Sequence, residues 1–131
     1  MGAGGPAAFT GLAALGIPGL EPAPDRLVLT DPRGPADLSR GAALTVAATS
    51  AGDDEARARR AAWPDALVEE MEGHAVAQAC GRAGVPLAML RAVSNRAGDR
   101  DKTNWDVPGA LAALGRALTR VLDGSTASTG G

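Results

Sequence analysis

The stretch Gly41-Ala-Ala-Leu-Thr-Val-Ala-Ala-Thr49 decides the fold class, because it is short, nearly all apolar and contains β-branched residues. That pattern is typical of a strand buried on both faces of a sheet. Asp53 then stands at an N-cap position ahead of Glu55-Ala-Arg-Ala-Arg-Arg-Ala-Ala62, whose good helix formers predict a helix that stops at Trp63-Pro64. Ala66-Leu-Val68 predicts the next short strand. A strand, helix, strand succession requires a crossover connection, which predicts a mainly parallel sheet.

The alternation continues downstream of this unit. Residues 73–82 predict a helix closed by Gly84, and residues 85–93 predict a third buried strand. After a polar loop, Pro108 opens a helix that runs to about residue 122 with leucines at helical spacing. The predicted fold class is therefore α/β, with a mainly parallel or mixed sheet and helices on its faces. Binding sites in such folds gather at the carboxyl ends of the strands.

The two ends of the chain differ from this central part. Glycine and proline interrupt every run in residues 1–40, so only short elements fit there, such as a helical turn at 12–15 and a strand at 26–29. We expect three regions: an irregular segment at 1–40, a domain at 41–122, and a small, polar, disordered tail at 123–131.

The composition excludes several classes of function. The net charge is −2, and the 13 basic residues are scattered among 15 acidic ones, so neither nucleic acid nor a membrane surface is expected as a partner. A single cysteine, Cys80, and a single histidine, His74, cannot supply a disulfide or a zinc site, so no metal is expected. With no secretory signal and no apolar run that could span a bilayer, the predicted location is cytoplasmic.

Glu69-Glu70-Met71-Glu72 places three carboxylates between a predicted strand and a predicted helix. One interpretation is that they are first-turn acids on a solvated surface, stabilised by the helix N-terminus. Met71 favours a second interpretation, because a purely solvated turn needs no apolar residue among its acids. A carboxylate at a strand end can accept two hydrogen bonds from a vicinal diol such as a ribose, and a methionine offers the sugar a soft apolar face.

Ser94-Asn95 opens the polar loop directly after the predicted strand at 85–93. An asparagine at such a position can be an ordinary turn residue whose amide bonds the local backbone. It can also bind a ligand, because an amide donates and accepts at once. That pair of groups matches a 6-oxopurine, which offers its O6 atom as an acceptor and a protonated N7 as a donor.

Taken together, these segments resemble a known family. The residues Val68-Glu-Glu-Met-Glu-Gly-His-Ala-Val-Ala-Gln-Ala-Cys80, Gly84-Val-Pro86 and Leu90-Arg-Ala-Val-Ser-Asn95 are similar to the purine nucleosidases related to methylthioadenosine/adenosylhomocysteine nucleosidase, within the nucleoside phosphorylase superfamily. Ser94-Asn95, Gly98-Asp-Arg-Asp101 and Trp105-Asp106 resemble its futalosine hydrolase branch, because adenine-specific relatives carry Asp at the position of Asn95. The resemblance implies the C-terminal half of a three-layer α/β fold.

The resemblance also implies a site and a reaction. Met71 and Glu72 would bind the ribose, Glu72 through its 2′ and 3′ hydroxyls, and Asn95 would be the catalytic residue that binds the leaving hypoxanthine. Glu70 and Ser94 would support them. The implied reaction is hydrolysis of the N-glycosidic bond of a 6-oxopurine nucleoside, futalosine, in menaquinone biosynthesis. The implied partner is thus a small purine nucleoside, without a cofactor, and many relatives are homo-oligomers.

The family pattern also has parts that find no counterpart in this sequence. Its first strands carry a water-activating glutamate and glycine-rich loops around the sugar, whereas the resemblance here runs from about residue 44 to residue 118. We therefore expect an N-terminal truncation that impairs the activity. Two alternatives stay open: an adenine-type nucleosidase or phosphorylase, and a non-catalytic remnant that binds a nucleoside.

Overall fold

The computed structural model describes residues 26–30 and 35–126. The elements within this part of the chain are β1 (Ala42–Thr45), α1 (Asp53–Ala62), β2 (Ala66–Glu70), α2 (Gly73–Ala83), a 3₁₀ helix (Lys102–Asn104) and α3 (Val107–Thr126). The helical turn predicted at 12–15 lies outside the described residues.

Strands β1 and β2 pair in parallel and α1 connects them. Thr45 lies opposite Glu70 in the register, and beyond β1 the Val46 N–H donates to the Glu70 carbonyl at 2.8 Å. A parallel pair requires such a crossover connection, and here a helix supplies it. Helix α2 follows β2 directly and contacts β1. The predicted α/β class with a parallel sheet is confirmed.

The helix ends follow local backbone chemistry. Asp53 is the first residue of α1 rather than its N-cap, because Gly52 occupies that position in an extended conformation without a side-chain cap. Helix α1 stops at Trp63, as predicted, and the next residue, Pro64, cannot donate a helical hydrogen bond. Helix α2 ends, also as predicted, at Gly84, whose φ of 67° lies in the left-handed region that glycine adopts without strain.

The third strand predicted at 85–93 is wrong, and so is the short strand at 26–29. Neither segment forms a ladder; a single backbone bond, from the Thr30 N–H to the Leu87 carbonyl at 2.8 Å, joins them. A strand needs a run of paired neighbours, and Pro86 contributes no N–H to one. The apolar run therefore lies outside the two-stranded sheet.

The burial predicted for β1 on both faces is also wrong. Along β1 the residues are half-buried or exposed, and in the described part of the chain the buried hydrophobic side chains are those of Val46 and Ala77. Leu67 in β2 is 56% exposed and Val93 is 63% exposed. A two-stranded sheet covered by short helices offers too little area to exclude water from both faces.

Helix α3 is longer than the sequence pattern predicts. It begins at Val107, with Pro108 in its first turn as expected, and continues past residue 122 to Thr126. The first four residues of the predicted tail therefore extend the helix, since adding residues to a formed helix costs far less than starting one. No helix in the described segments has both the length and the apolarity needed to cross a bilayer.

Candidate functional site

Glu70, the last residue of β2, is the centre of the turn into α2. Its side chain is 8% exposed and accepts hydrogen bonds from the Thr45 hydroxyl, the backbone N–H groups of Glu72 (3.0 Å) and Gly73 (2.5 Å), and the Arg91 guanidinium (2.9 Å). Burial raises the pKa of Glu70, but these hydrogen bonds and the Arg91 charge outweigh it and hold the pKa below its ordinary value. Glu70 is therefore an ionised group that fixes the turn.

Glu69 projects from the opposite face of β2, because neighbouring side chains in a strand alternate. Its carboxylate accepts the Ser50 N–H at 3.0 Å and the Ser50 hydroxyl at 2.5 Å, and lies 3.2 Å from the Arg59 guanidinium. Ser50 is 1% exposed. Burial raises the pKa of Glu69, but the hydrogen bonds from Ser50 and the charge of Arg59 outweigh this effect and hold the pKa below its ordinary value.

Glu72 differs from these two acids. It is the N-cap residue of α2, it is exposed, and within residues 26–30 and 35–126 its carboxylate has no hydrogen-bond or ion-pair partner. Met71 beside it is 49% exposed. The interpretation as solvated first-turn acids thus fits Glu72 but not Glu69 or Glu70. One carboxylate of the three remains open to a ligand, at the amino end of a helix.

Asn95 has its amide held on both sides. Its Oδ1 accepts from the Ser94 hydroxyl at 2.8 Å, and its Nδ2 donates to the Arg96 carbonyl at 3.1 Å. A carbonyl can only accept, so the contact with Arg96 fixes which end of the amide is the nitrogen. An amide offers two donor hydrogens and two acceptor lone pairs. Asn95 therefore keeps one donor and one acceptor for another molecule.

The loop that carries Asn95, residues 94–106, is closed on itself. The Asp106 N–H donates to the Ser94 carbonyl at 2.8 Å, which joins its two ends. Inside it, the Trp105 indole N–H donates to the Asp99 carbonyl at 3.2 Å, and Asp101 caps the short 3₁₀ helix through the Thr103 N–H. The contacts give the 94–106 loop a defined shape although it contains no strand or α helix.

The two halves of the predicted site are joined indirectly. In the described segments, no hydrogen bond or ion pair links Met71 or Glu72 to Asn95. The connection runs through Glu70 and Arg91, which lies three residues before Ser94 along the chain. The ion pair therefore ties the strand end that carries Glu72 to the segment that leads into Asn95.

A groove of about 1040 Å³ lies beside these residues rather than among them. Glu70, Met71 and Arg91 belong to its lining, together with apolar residues of β1, β2 and the segment 26–30. Glu72, Ser94 and Asn95 do not line it. The groove follows the poorly covered face of the sheet, and the side chains assigned to the sugar hydroxyls and to the base lie outside it.

Thr45 and Arg91 are contributors that sequence reasoning did not assign a role. Thr45 donates to Glu70 and accepts the His74 N–H at 2.9 Å, so it joins β1 to the first turn of α2. The position of Thr45 in the sequence could have indicated this role. A polar residue near the end of a predicted buried strand needs a hydrogen-bond partner on the neighbouring strand. Arg91, a charge inside an apolar run, gave a similar signal.

The described residues hold no cluster of three or more histidine, cysteine or acidic side chains arranged for a metal ion. The His74 ring instead pairs with Gln78 at 3.1 Å, and Cys80 is a free, half-buried thiol.

Residues 18–126 match the family model of the phosphorylase superfamily. The chain belongs to the phosphorylase superfamily. This match covers most of the sequence and confirms the family predicted from the motifs around Glu72 and Asn95.

Several curated members of the phosphorylase superfamily are similar in sequence. A futalosine hydrolase of Acidothermus cellulolyticus is 43% identical over 123 residues, which are 90% of this chain and 50% of the relative. One of Thermus thermophilus is 43% identical over 121 residues, 86% of this chain and 53% of the relative. One of Streptomyces coelicolor is 42% identical over 81 residues, 62% of this chain and 34% of the relative. The chain thus spans about half the length of the curated relatives it matches. No solved structure matches it.

Proposed function

We propose that this phosphorylase-superfamily chain takes part in hydrolysis of the N-glycosidic bond of a 6-oxopurine nucleoside, converting futalosine to hypoxanthine and dehypoxanthine futalosine. The observation that carries the proposal is its similarity, at 42–43% identity, to three proteins named futalosine hydrolase. The hydrogen-bonding groups that Glu72 and Asn95 leave free also support the proposal.

Glu72 has the properties of a ribose ligand. Its carboxylate is exposed and unpartnered within the described part of the chain, whereas Glu70 is occupied by four donors. An ionised carboxylate offers lone pairs to both hydroxyls of a vicinal diol, and the amino end of α2 favours its charge. Glu70 would hold the Glu72 backbone in place, and Met71 would cover the apolar side of the sugar.

Asn95 has the properties of a ligand for the leaving base. Its remaining acceptor suits a protonated N7 and its remaining donor suits O6, which together select a 6-oxopurine over a 6-aminopurine. Ser94 supports it by occupying the other lone pair of Oδ1. An aspartate in that position would lack the donor that O6 requires.

The reaction needs stabilisation of a base that departs with its electrons. As the bond between the sugar carbon and the base breaks, its electron pair leaves with the purine, which takes up a proton from water at N7, and the hydroxide that remains adds to the sugar carbon. A hydrogen bond from N7–H to Asn95 strengthens at that point, so it lowers the barrier rather than only tightening binding. Glu72 would hold the ribose while positive charge develops on its ring, and a nearby carboxylate favours that charge.

Hypoxanthine release from futalosine by the purified chain tests the proposal, with methylthioadenosine as the matched control nucleoside. We expect hypoxanthine to appear, measured by chromatography, and no adenine. Adenine release from methylthioadenosine would instead support an adenine-type nucleosidase or phosphorylase. Inactivity with both nucleosides would contradict catalysis by this chain and leave a non-catalytic nucleoside-binding protein.

Replacement of Asn95 tests how the base is recognised. In Asn95→Asp the acceptor is kept and the donor is lost, so we expect preference to shift from hypoxanthine toward adenine leaving groups by about tenfold or more, the scale of one lost polar contact to a substrate. The measurement is the ratio of kcat/KM for futalosine to that for methylthioadenosine. An unchanged ratio would remove Asn95 from the base site.

We infer a role in menaquinone biosynthesis and a cytoplasmic location from the same resemblance. Assembly into a homo-oligomer is proposed as well and is tested by sedimentation equilibrium of the purified chain.

A further inference from the structure

One polar network, centred on the buried Ser50 and the largely buried Glu69 and Arg59, has no part in the contacts proposed for the substrate. It consists of Glu69, Ser50, Arg59, Glu55 and Ala51. Arg59, 12% exposed, donates to the Ser50 hydroxyl at 3.2 Å and to Glu55 at 2.6 Å, and Glu55 in turn accepts the Ala51 N–H at 2.8 Å. Two carboxylates therefore hold the consecutive N–H groups of Ser50 and Ala51, which fixes the loop that follows β1.

That loop, residues 49–53, is the surface on which the 94–106 loop rests. Arg96 pairs with Asp53 at 2.7 Å and Arg100 donates to the Thr49 hydroxyl at 2.6 Å. Between these contacts, Gly98 approaches Gly52 so closely that a Cβ on Gly98 would lie 2.7 Å from the Gly52 carbonyl carbon. The 94–106 loop thus meets the 49–53 loop at three places, beginning at the residue after Asn95.

We propose that Glu69 and Arg59 are positioning residues for base recognition: they fix the 49–53 loop, and through it they set the place of Asn95. The inference rests on the proposed function of Asn95. It assigns Glu69 a different task from its neighbours, since Glu70 fixes the β2–α2 turn and Glu72 is free for the sugar. Neither Glu69 nor Arg59 needs to touch the nucleoside.

The physical reason is the limited stiffness of the 94–106 loop. Its internal hydrogen bonds give it a shape but do not fix where that shape sits relative to β2. Its placement depends on contacts such as those of Arg96 and Arg100, which are useful only if Asp53 and Thr49 stay in place. Removing one partner of a buried ion pair leaves the other charge uncompensated, so the 49–53 loop would rearrange.

The test compares Arg59→Ala with Arg57→Ala on the same helix. Arg57 is 69% exposed and pairs with Asp54, which is 99% exposed, so its loss should change nothing. In a Trp63→Phe background, Trp105 becomes the sole fluorophore and reports the docking of the 94–106 loop. We expect Arg59→Ala to raise acrylamide quenching of Trp105 and to weaken hypoxanthine binding about two- to tenfold, the range for residues coupled in one network.

A double-variant cycle separates positioning from general damage. If Arg59 acts through Asn95, Arg59→Ala should cost little further hypoxanthine affinity in an Asn95→Ala background. Fully additive losses would overturn the proposal, and so would a folded Arg59→Ala protein with unchanged Trp105 quenching. Arg59→Lys keeps the positive charge but not the paired N–H groups of the guanidinium. It should restore part of the hypoxanthine affinity and part of the protection of Trp105 from quenching.

Asp53→Ala keeps the proposal testable if Arg59→Ala does not fold. Asp53 is 47% exposed and its partner Arg96 is 66% exposed, so the fold should survive while one docking contact is lost. We expect the same two changes with smaller size; their absence would contradict the proposal. If the parent chain does not bind hypoxanthine, the proposed function fails on its own, and Trp105 quenching still decides whether Arg59 places the 94–106 loop.

Discussion

Gly73 is the residue at which the turn into α2 tolerates no side chain. A Cβ there would lie 2.7 Å from Oε1 of Glu70 and 2.9 Å from its carboxyl carbon. The Glu70 carboxylate cannot move aside cheaply, because four donors hold it. We expect Gly73→Ala to lower the free energy of unfolding by about 1–3 kcal/mol, the cost of disturbing hydrogen bonds to a buried charge, measured by urea denaturation.

Gly81→Ala is the matched control within the same helix. A Cβ at Gly81 meets nothing within 4 Å, so only helix propensity should change. We expect it to raise the free energy of unfolding by up to about 1 kcal/mol. Equal effects at Gly73 and Gly81 would mean that the Glu70 carboxylate moves freely and does not hold the turn.

Residue types and order predicted part of the candidate site. The acids of 69–72 could be selected because they follow a strand, and polar groups at strand ends are where α/β folds place ligands. Ser94-Asn95 could be selected by the same rule, but from a strand at 85–93 that the structure does not contain. The different roles of the three acids could not be predicted, because each role depends on partners that are distant in the sequence. Glu69 meets Ser50, 19 residues away, and Glu70 meets Arg91, 21 residues away.

Helix α2 ends through the left-handed conformation of Gly84, and this end is a testable element. The Gly84 φ of 67° places the N–H groups of Gly84 and Val85 on the carbonyls of Gly81 and Cys80. A Cβ at residue 84 strains that conformation by about 1–2 kcal/mol, partly offset by the smaller entropy of the unfolded chain. We expect Gly84→Ala to lower the free energy of unfolding by about 1 kcal/mol.

Gly84→Asn provides the comparison, because asparagine adopts the left-handed region more readily than alanine. It should lose less stability than Gly84→Ala in the same urea titration. An alanine variant as stable as the parent would show that the helix ends by another route in solution.

Among the secondary-structure elements, the sequence predicted helices better than strands. Helices α1 and α2 could be predicted from their composition and from the residues at their ends, Trp63-Pro64 and Gly84. All of these signals are local in sequence. The segment 85–93 has the composition of a buried strand, yet strand formation requires neighbours that lie far away in the chain. Thr30 supplies one backbone bond, and one bond makes no ladder.

The molecule as a whole should lose stability in acid because Glu69 and Glu70 have lowered pKa values in the folded state. Each contribution is fully present above the unfolded glutamate pKa, about 4.3, and disappears as the pH falls through the lower folded value. The urea midpoint should therefore be steady from neutral pH to about pH 5 and should fall below about pH 4.

Two glutamine variants attribute this acid dependence. Glu70→Gln should lower the midpoint at neutral pH and flatten its fall in acid, whereas Glu72→Gln should behave like the parent because the structure gives that side chain no partner among the described residues. The same acid slope in all three proteins would show that other carboxylates cause it.

The contact between Gly98 and Gly52 bears on how the protein can be redesigned. It is one-sided: an added Cβ at Gly98 collides with the backbone of Gly52, while an added Cβ at Gly52 meets nothing within 4 Å. A loop grafted in place of 94–106 would need glycine at the point of approach and a companion at 49–53 of the same shape. The 49–53 and 94–106 loops therefore fit each other as a pair. A change of specificity made through the 94–106 loop would require both loops to be exchanged together.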